Sequence, residues 1–409
     1  MADERGTIRS IAWHQVFPAL RILSAVRMAL NFKALLLAAV GVAGMVAGWR
    51  VLGELFHDPD AAQSVVNTDL SYYTTWPWDR PFEMPPTDRL TSLEVWYAYS
   101  PLVAAWNELA MPMKRMYQVA EAPTFTGFMY LLTCGLWTLL IWAYFGGAIS
   151  RQAAVAFARQ ENVSLGALAR FVHGKAGAYV AAPLFPLLGS ALIALPLAGL
   201  GLLLRLDLHW ADALVGIVWG AALLGGFLMA FLLLGLFFGF PLMWAAISAE
   251  GTDSFGALSH AYAYVYQRPL RYLGYAVLAA LAGVLGWYLV TLFALWTNEL
   301  ALWSASWGSG ADRLNDARTV GGQEGLAAIG AQAMAFWTNG LTLLAYAFVF
   351  SYFWTATTVI YFLLRRLVDA TALDEVYMPG EAEKRGLPTL KTGADGVPAV
   401  AEEPARPTA

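Results

Sequence analysis

The chain is poor in the residues from which most active sites are built. One cysteine, Cys134, stands among 409 residues, inside an apolar run. A single thiol allows no internal disulfide and no cysteine-based metal site, and a lone buried cysteine is most simply a small packing residue. The five histidines, His14, His57, His173, His209 and His260, show no zinc-binding spacing. Phosphate-binding loop, nucleophile elbow and dinucleotide fingerprint are all absent from the sequence. Charge is scarce too, at 13% of residues, against roughly a quarter in soluble chains. The formal net charge is −4, with no basic stripe of the kind nucleic-acid binders carry. No cofactor and no nucleic-acid partner is expected.

Long apolar runs are abundant. Six exceed the roughly 20 residues needed to cross the hydrocarbon of a bilayer: 34–56, 125–149, 177–204, 212–240, 272–298 and 338–364. They are continuously apolar rather than alternating, which suits helices and not barrel strands. The expected fold is all-α, a six-helix transmembrane bundle with amphipathic interfacial helices. Residues 1–33 form an amphipathic lead, 34–378 the membrane domain and 379–409 a tail. The tail is low in large hydrophobics, so disorder is expected there. A stop or kink is expected near Pro241, a kinked or partly unwound third span at Pro183, Pro186 and Pro196, and a last span beginning after Asn339-Gly340.

Lysine and arginine set the orientation. With the N-terminus inside, the inner segments hold 17 of the 25 basic residues and the outer segments seven. Both termini are therefore expected on the cytoplasmic side of a bacterial-type inner membrane. The outer loop 57–124 has eight prolines and nine acids. Its first half reads as turn-rich and its second as short amphipathic helices, either a cap over a site or a belt sealing the bundle. The loop 299–333 is Gly-rich and reads as mobile.

Two inserts between spans are built alike. "SLGALAR" starts at Ser164 and "SFGALSH" at Ser254; each comes after a span ending in "AIS" and leads into the next through a basic, turn-prone junction. A looser third copy starts at Ala19. An amphipathic helix followed by a span out and a span back would repeat in parallel; convergent composition is the competing explanation. In the second insert Asp253 or Ser254 is a good N-cap. Phe255, Leu258, Tyr262, Val265 and Tyr266 fall on one helical face, and Pro269 ends the helix. The insert reads as a gating or lipid-sensing lever, or more simply as a connector under the spans.

The pattern of paired spans with "DSFGALSHAYAYVYQRP" between them resembles the membrane domain attached to some bacterial glycerophosphodiester phosphodiesterases, and related multi-span families, over about residues 150–300. In those enzymes the chemistry resides in a separate barrel, which needs roughly 250 residues. No region here could house one, so the resemblance implies architecture and no catalytic residue.

Ionisable residues within spans are functional candidates by default, and few occur. Arg50 and Glu54, four apart near the end of span one, can pair or snorkel. Arg151, Asp253, Arg268, Arg365, Arg366 and Asp374 cluster at the interface segments. The acids after span six could pair with Arg151, Arg159 or Arg170 in a collar. "HDPD" at 57–60 and "HWAD" at 209–212 are weaker candidates. The function expected is a non-catalytic scaffold or a subunit of a membrane assembly, embedded in lipid, with a membrane-protein partner or a second copy of itself. The alternative is a transporter or flippase for a neutral or lipidic substrate, which requires a wet cavity reaching the middle of the membrane.

Overall fold

The computed structural model describes residues 17–57, 76–79, 93–118, 125–205, 208–320 and 324–379, together with the backbone of 390–392 and 398–400. It is an all-α bundle. A 3-10 turn, Pro18–Leu23, leads into α1 (Ser24–Ala29) and α2 (Phe32–Leu55). Then come α3 (Leu93–Ala98), α4 (Pro101–Gln118), α5 (Phe125–Arg159), α6 (Leu165–Leu204) and α7 (His209–Glu250). The series closes with α8 (Ser254–Gln267), α9 (Pro269–Ser309), α10 (Ala311–Arg318) and α11 (Leu326–Val368). Six of them, α2, α5, α6, α7, α9 and α11, are long and apolar enough to cross a membrane, so the chain is an integral, multi-pass membrane protein. Of the tail, two three-residue strands pair antiparallel, Leu390 opposite Val400; the rest of the segment expected to be disordered lies outside the described residues.

The helices run longer than the apolar runs suggest. At 1.5 Å per residue, the 42 residues of α7 and the 43 of α11 reach about 63 and 65 Å, roughly twice the thickness of a hydrocarbon core. Of the stop or kink expected near Pro241, the stop does not occur, and the third span, expected to be kinked or partly unwound, is helical throughout. A proline removes one N–H and frees the carbonyl four residues back. For Pro183 that carbonyl belongs to Tyr179, and it accepts the indole N–H of Trp244 from α7 at 2.8 Å. The helix continues because a neighbour satisfies the freed group. Nor does α11 start after Asn339-Gly340: it begins at Leu326, and the loop expected to be mobile at 299–333 is helical over most of its described length.

Helix α11 is the hub, packing against α1, α2, α4, α5, α7 and α9. Its residues from Ala347 to Arg365 are buried without interruption. Around them the aromatic side chains stack: Trp142 on Phe350 at 4.4 Å, Trp244 on Trp354 at 4.6 Å, with Phe240 edge-on to both tryptophans of the second pair. Hydroxyls tie the neighbours in, Ser351 donating to the Ala29 carbonyl (2.7 Å) and Tyr352 to that of Ala279 (2.6 Å). Small residues set the closest approaches. A Cβ at Gly48 would fall inside the Trp137 ring, and one at Gly235 would come within 2.4 Å of Tyr262. Gly44–Gly48 and Gly235–Gly239, each with G-x-x-x-G spacing, thus lie at the α2–α5 and α7–α8 contacts.

Candidate functional site

The polar groups of the bundle gather at one end, where α5 and α11 finish, α7 turns into α8, and residues 369–379 fold back underneath. α7 ends in Gly251 with φ +64°, the left-handed cap that leaves its last carbonyls facing outward. Those carbonyls carry the negative end of the helix dipole, and cations and a backbone N–H meet them. The Arg151 guanidinium donates to Ser248 O at 2.7 Å, Lys175 Nζ donates to Gly251 O, and the Tyr377 N–H donates to Ala249 O at 2.7 Å. Arg151 also donates to Tyr377 O at 2.7 Å and lies over the Phe171 ring. A side chain at 251 would collide with Tyr377, so glycine is required there twice over.

Arg365 holds the other side of this strap. It is 3% exposed and donates to Glu375 O (2.7 Å) and Ala372 O (3.4 Å), with Glu250 3.6 Å away. Leu373 and Val376 fill the space beneath. The strap is therefore gripped by its carbonyls, and this corrects the expectation that its acids would pair with the arginines: Asp374 and Glu375 are exposed, because a guanidinium reaching the strap from inside the bundle meets backbone first.

Glu250 is the centre of a second set of bonds. His260 Nδ1 lies 3.0 Å from its carboxylate, and Tyr361 donates its hydroxyl to it. Tyr264 donates in turn to Asp369. The hydrogen bond to Glu250 raises the pKa of His260 above that of a free imidazole, against a smaller opposing effect of burial. Burial first, and the Asp369 carboxylate second, push Tyr264 upward. A carboxylate-oriented imidazole is half of an acid–base device. Its neighbouring hydroxyls, Tyr361 and Tyr264, are already engaged by carboxylates. Among the described residues no three His, Cys, Asp or Glu side chains come together as metal ligands. These bonds join the ends of α7 and α11 to α8.

The remaining candidates are scattered. Asp253 caps α8, accepting from the Gly256 N–H at 2.8 Å, and Arg268 is the exposed joint between α8 and α9. Arg366 is exposed. At the far end of α2, Arg50 lies over the Trp76 ring at 5.0 Å and Glu54 is exposed. His57 and His209 lie at helix ends with Asp212 in the first turn of α7, while Asp58 is outside the described residues. The face assigned to α8 also needs correction. Phe255 is 70% exposed, and the buried residues are Ala257, Ala261, Tyr264 and Val265, because the alanines let α8 lie close against Gly239 of α7.

Glu250 and Tyr361 were missed by sequence reasoning, while His260 was considered only as a zinc ligand and Asp369 only as an acid after span six that could pair with an arginine. The signal present was an acid ending the most apolar helix, with a histidine ten residues on; the Tyr361 partner, 111 residues from Glu250, carries no local mark. In comparison with known proteins, the chain matches no family model, no curated protein and no solved structure.

Proposed function

We infer that this integral membrane protein is a non-catalytic scaffold or subunit of a membrane assembly. The observation that supports this best is the filled centre of the bundle. The stacked Trp142, Phe350, Trp244 and Trp354 occupy the space where an alternating-access carrier needs a wet, divided path. Away from that centre, the outer halves of α6 and α7 are largely exposed: Leu188, Leu192, Leu195, Ile217, Leu223 and Phe227 each exceed 60%. Such helices meet lipid or another membrane helix. The tied end, with Arg366, Asp374 and Glu375 outward, faces the cytoplasm in this reading, as the distribution of basic residues favours. The resemblance over residues 150–300 accords with it, since there too the membrane helices carry no chemistry.

Native mass spectrometry of the chain extracted from its own membrane into lipid nanodiscs tests the reading. A second protein, or a second copy, at fixed stoichiometry is the expected result. A solitary chain in every preparation, together with movement of a solute by the purified protein in vesicles, would contradict it and restore the transporter.

A further inference from the structure

A cavity of about 270 Å³ opens beside the tied end, between the α1–α2 joint, the end of α5 and Thr355 of α11. Its wall is ordered by a helix cap. The Lys33 N–H donates to Asn31 Oδ1 at 3.0 Å, which fixes the orientation of the Asn31 carboxamide. Asn31 Nδ2 therefore donates to Asn162 Oδ1 (3.3 Å), and Gln152 Nε2 donates to the same oxygen (3.2 Å). Lys33 Nζ closes the group from the other side on Val163 O at 2.9 Å. The stretch carrying Glu161 and Asn162 begins at Gln160, which adopts φ +58°. A non-glycine residue pays about 1 kcal/mol or more for that conformation, and such strain concentrates where a side chain must be aimed.

Two charges of opposite sign line this cavity, Arg27 and Glu161. Both side chains are exposed. Among the described residues they form no ion pair with each other or with any third group. A wall that carries an uncommitted guanidinium and an uncommitted carboxylate, together with the carboxamides of Asn31, Gln152 and Asn162, is complementary to a small zwitterion. At about 270 Å³ the space exceeds what a single water or ion needs and takes a small polar headgroup. Leu30 is on the rim, and the exposed Phe32 and Leu36 come next on the first span, where acyl chains would lie.

We propose that this cavity binds the headgroup of a phosphoethanolamine lipid, Arg27 taking the phosphate and Glu161 the ammonium. The site is independent of the scaffold reading. The test is lipid retention by the full chain, measured by native mass spectrometry after exchange into an equimolar mixture of phosphatidylethanolamine, phosphatidylcholine and phosphatidylglycerol. One phosphatidylethanolamine should be retained in preference to the other two. Arg27→Gln and Glu161→Gln should each lower that preference roughly tenfold. Arg170→Gln, an exposed cation outside the cavity, should leave it unchanged. Equal retention of phosphatidylglycerol, or variants that bind as the wild type does, would overturn the proposal. So would stabilisation by free phosphoethanolamine with no preference among the lipids, which would assign the cavity to a soluble zwitterion.

Discussion

The two inserts that begin at Ser164 and Ser254 start in the same way and end differently. Ser164 accepts from the Ala167 N–H and Asp253 from the Gly256 N–H, so each opens a helix with a side-chain cap. The first insert then runs without interruption into its span, giving a 40-residue α6. The second stops at Arg268, and α8 lies as a separate helix against α7, with Tyr262 and Tyr266 donating to Leu232 O and Phe231 O at 2.6 Å each. The difference comes from two features. Pro269 disfavours helical geometry in the residue before it, whereas "HGKAGAY" contains only glycines, tolerated at roughly 1 kcal/mol each. Gly235 and Gly239 open a groove on α7 that receives α8; Gly174 and Gly177 of the first insert face open space. Similar caps and small-residue cores therefore do not specify similar packing. The proline at the end of the helix and the groove on its neighbour decide it.

The largest expected effect lies in the charges that only the second insert's surroundings carry. Arg365→Met would remove a cation 3.6 Å from Glu250 and the donor to the Ala372 and Glu375 carbonyls of the strap. A loss of about 3–5 kcal/mol is expected, read as a lower unfolding midpoint in detergent or nanodiscs. The matching change on the first insert, Arg170→Met, removes an exposed cation and should stay within about 0.5 kcal/mol. Equal losses would erase the contrast between the two regions.

Glycine substitutions should separate the inserts by sign. Gly235→Ala drives a Cβ into Tyr262 and should destabilise by about 1–3 kcal/mol. Gly174→Ala and Gly177→Ala, in an uninterrupted helix with nothing nearby, should each stabilise by about 0.5–1 kcal/mol. Destabilisation by either would mean that the first insert breaks as the second does. The caps sharpen the shared part: Ser164→Ala and Asp253→Ala should cost about 1 kcal/mol alike.

The smallest effect is a pH dependence confined to the second insert. His260 is raised by the Glu250 carboxylate. Its contribution is fully present below the unfolded imidazole pKa of about 6.5 and is lost as pH rises through the folded value. The unfolding temperature should therefore fall more steeply above neutral pH in the wild type than in His260→Gln. Parallel profiles would show that the histidine bond carries no net stability.

The apolar runs made the number and type of the spans legible, since no other structure places a run of such length. Their ends were not legible. Pro183 read as a kink or partial unwinding because sequence shows the missing N–H and not the Trp244 indole that satisfies Tyr179 O. Arg151 and Arg365 stood out as cations next to spans, yet their partners are carbonyls of Ser248, Tyr377, Ala372 and Glu375. A backbone acceptor carries no residue identity to read. The Asn31–Asn162–Gln152 wall joins segments 131 residues apart and depends on a cap orientation that only three-dimensional structure shows.

The polar groups at one end of the bundle serve as ties, with the strap 369–379 held on the end of α7. Backbone hydrogen exchange over residues 373–378 tests this most directly, because the Tyr377 N–H is bonded to Ala249 O. Protection of this stretch is expected in the wild type and its loss in Arg151→Gln and Arg365→Gln, with α6 over 188–200 unchanged in both. Exchange of 373–378 in the wild type at the rate of an unfolded peptide would contradict it.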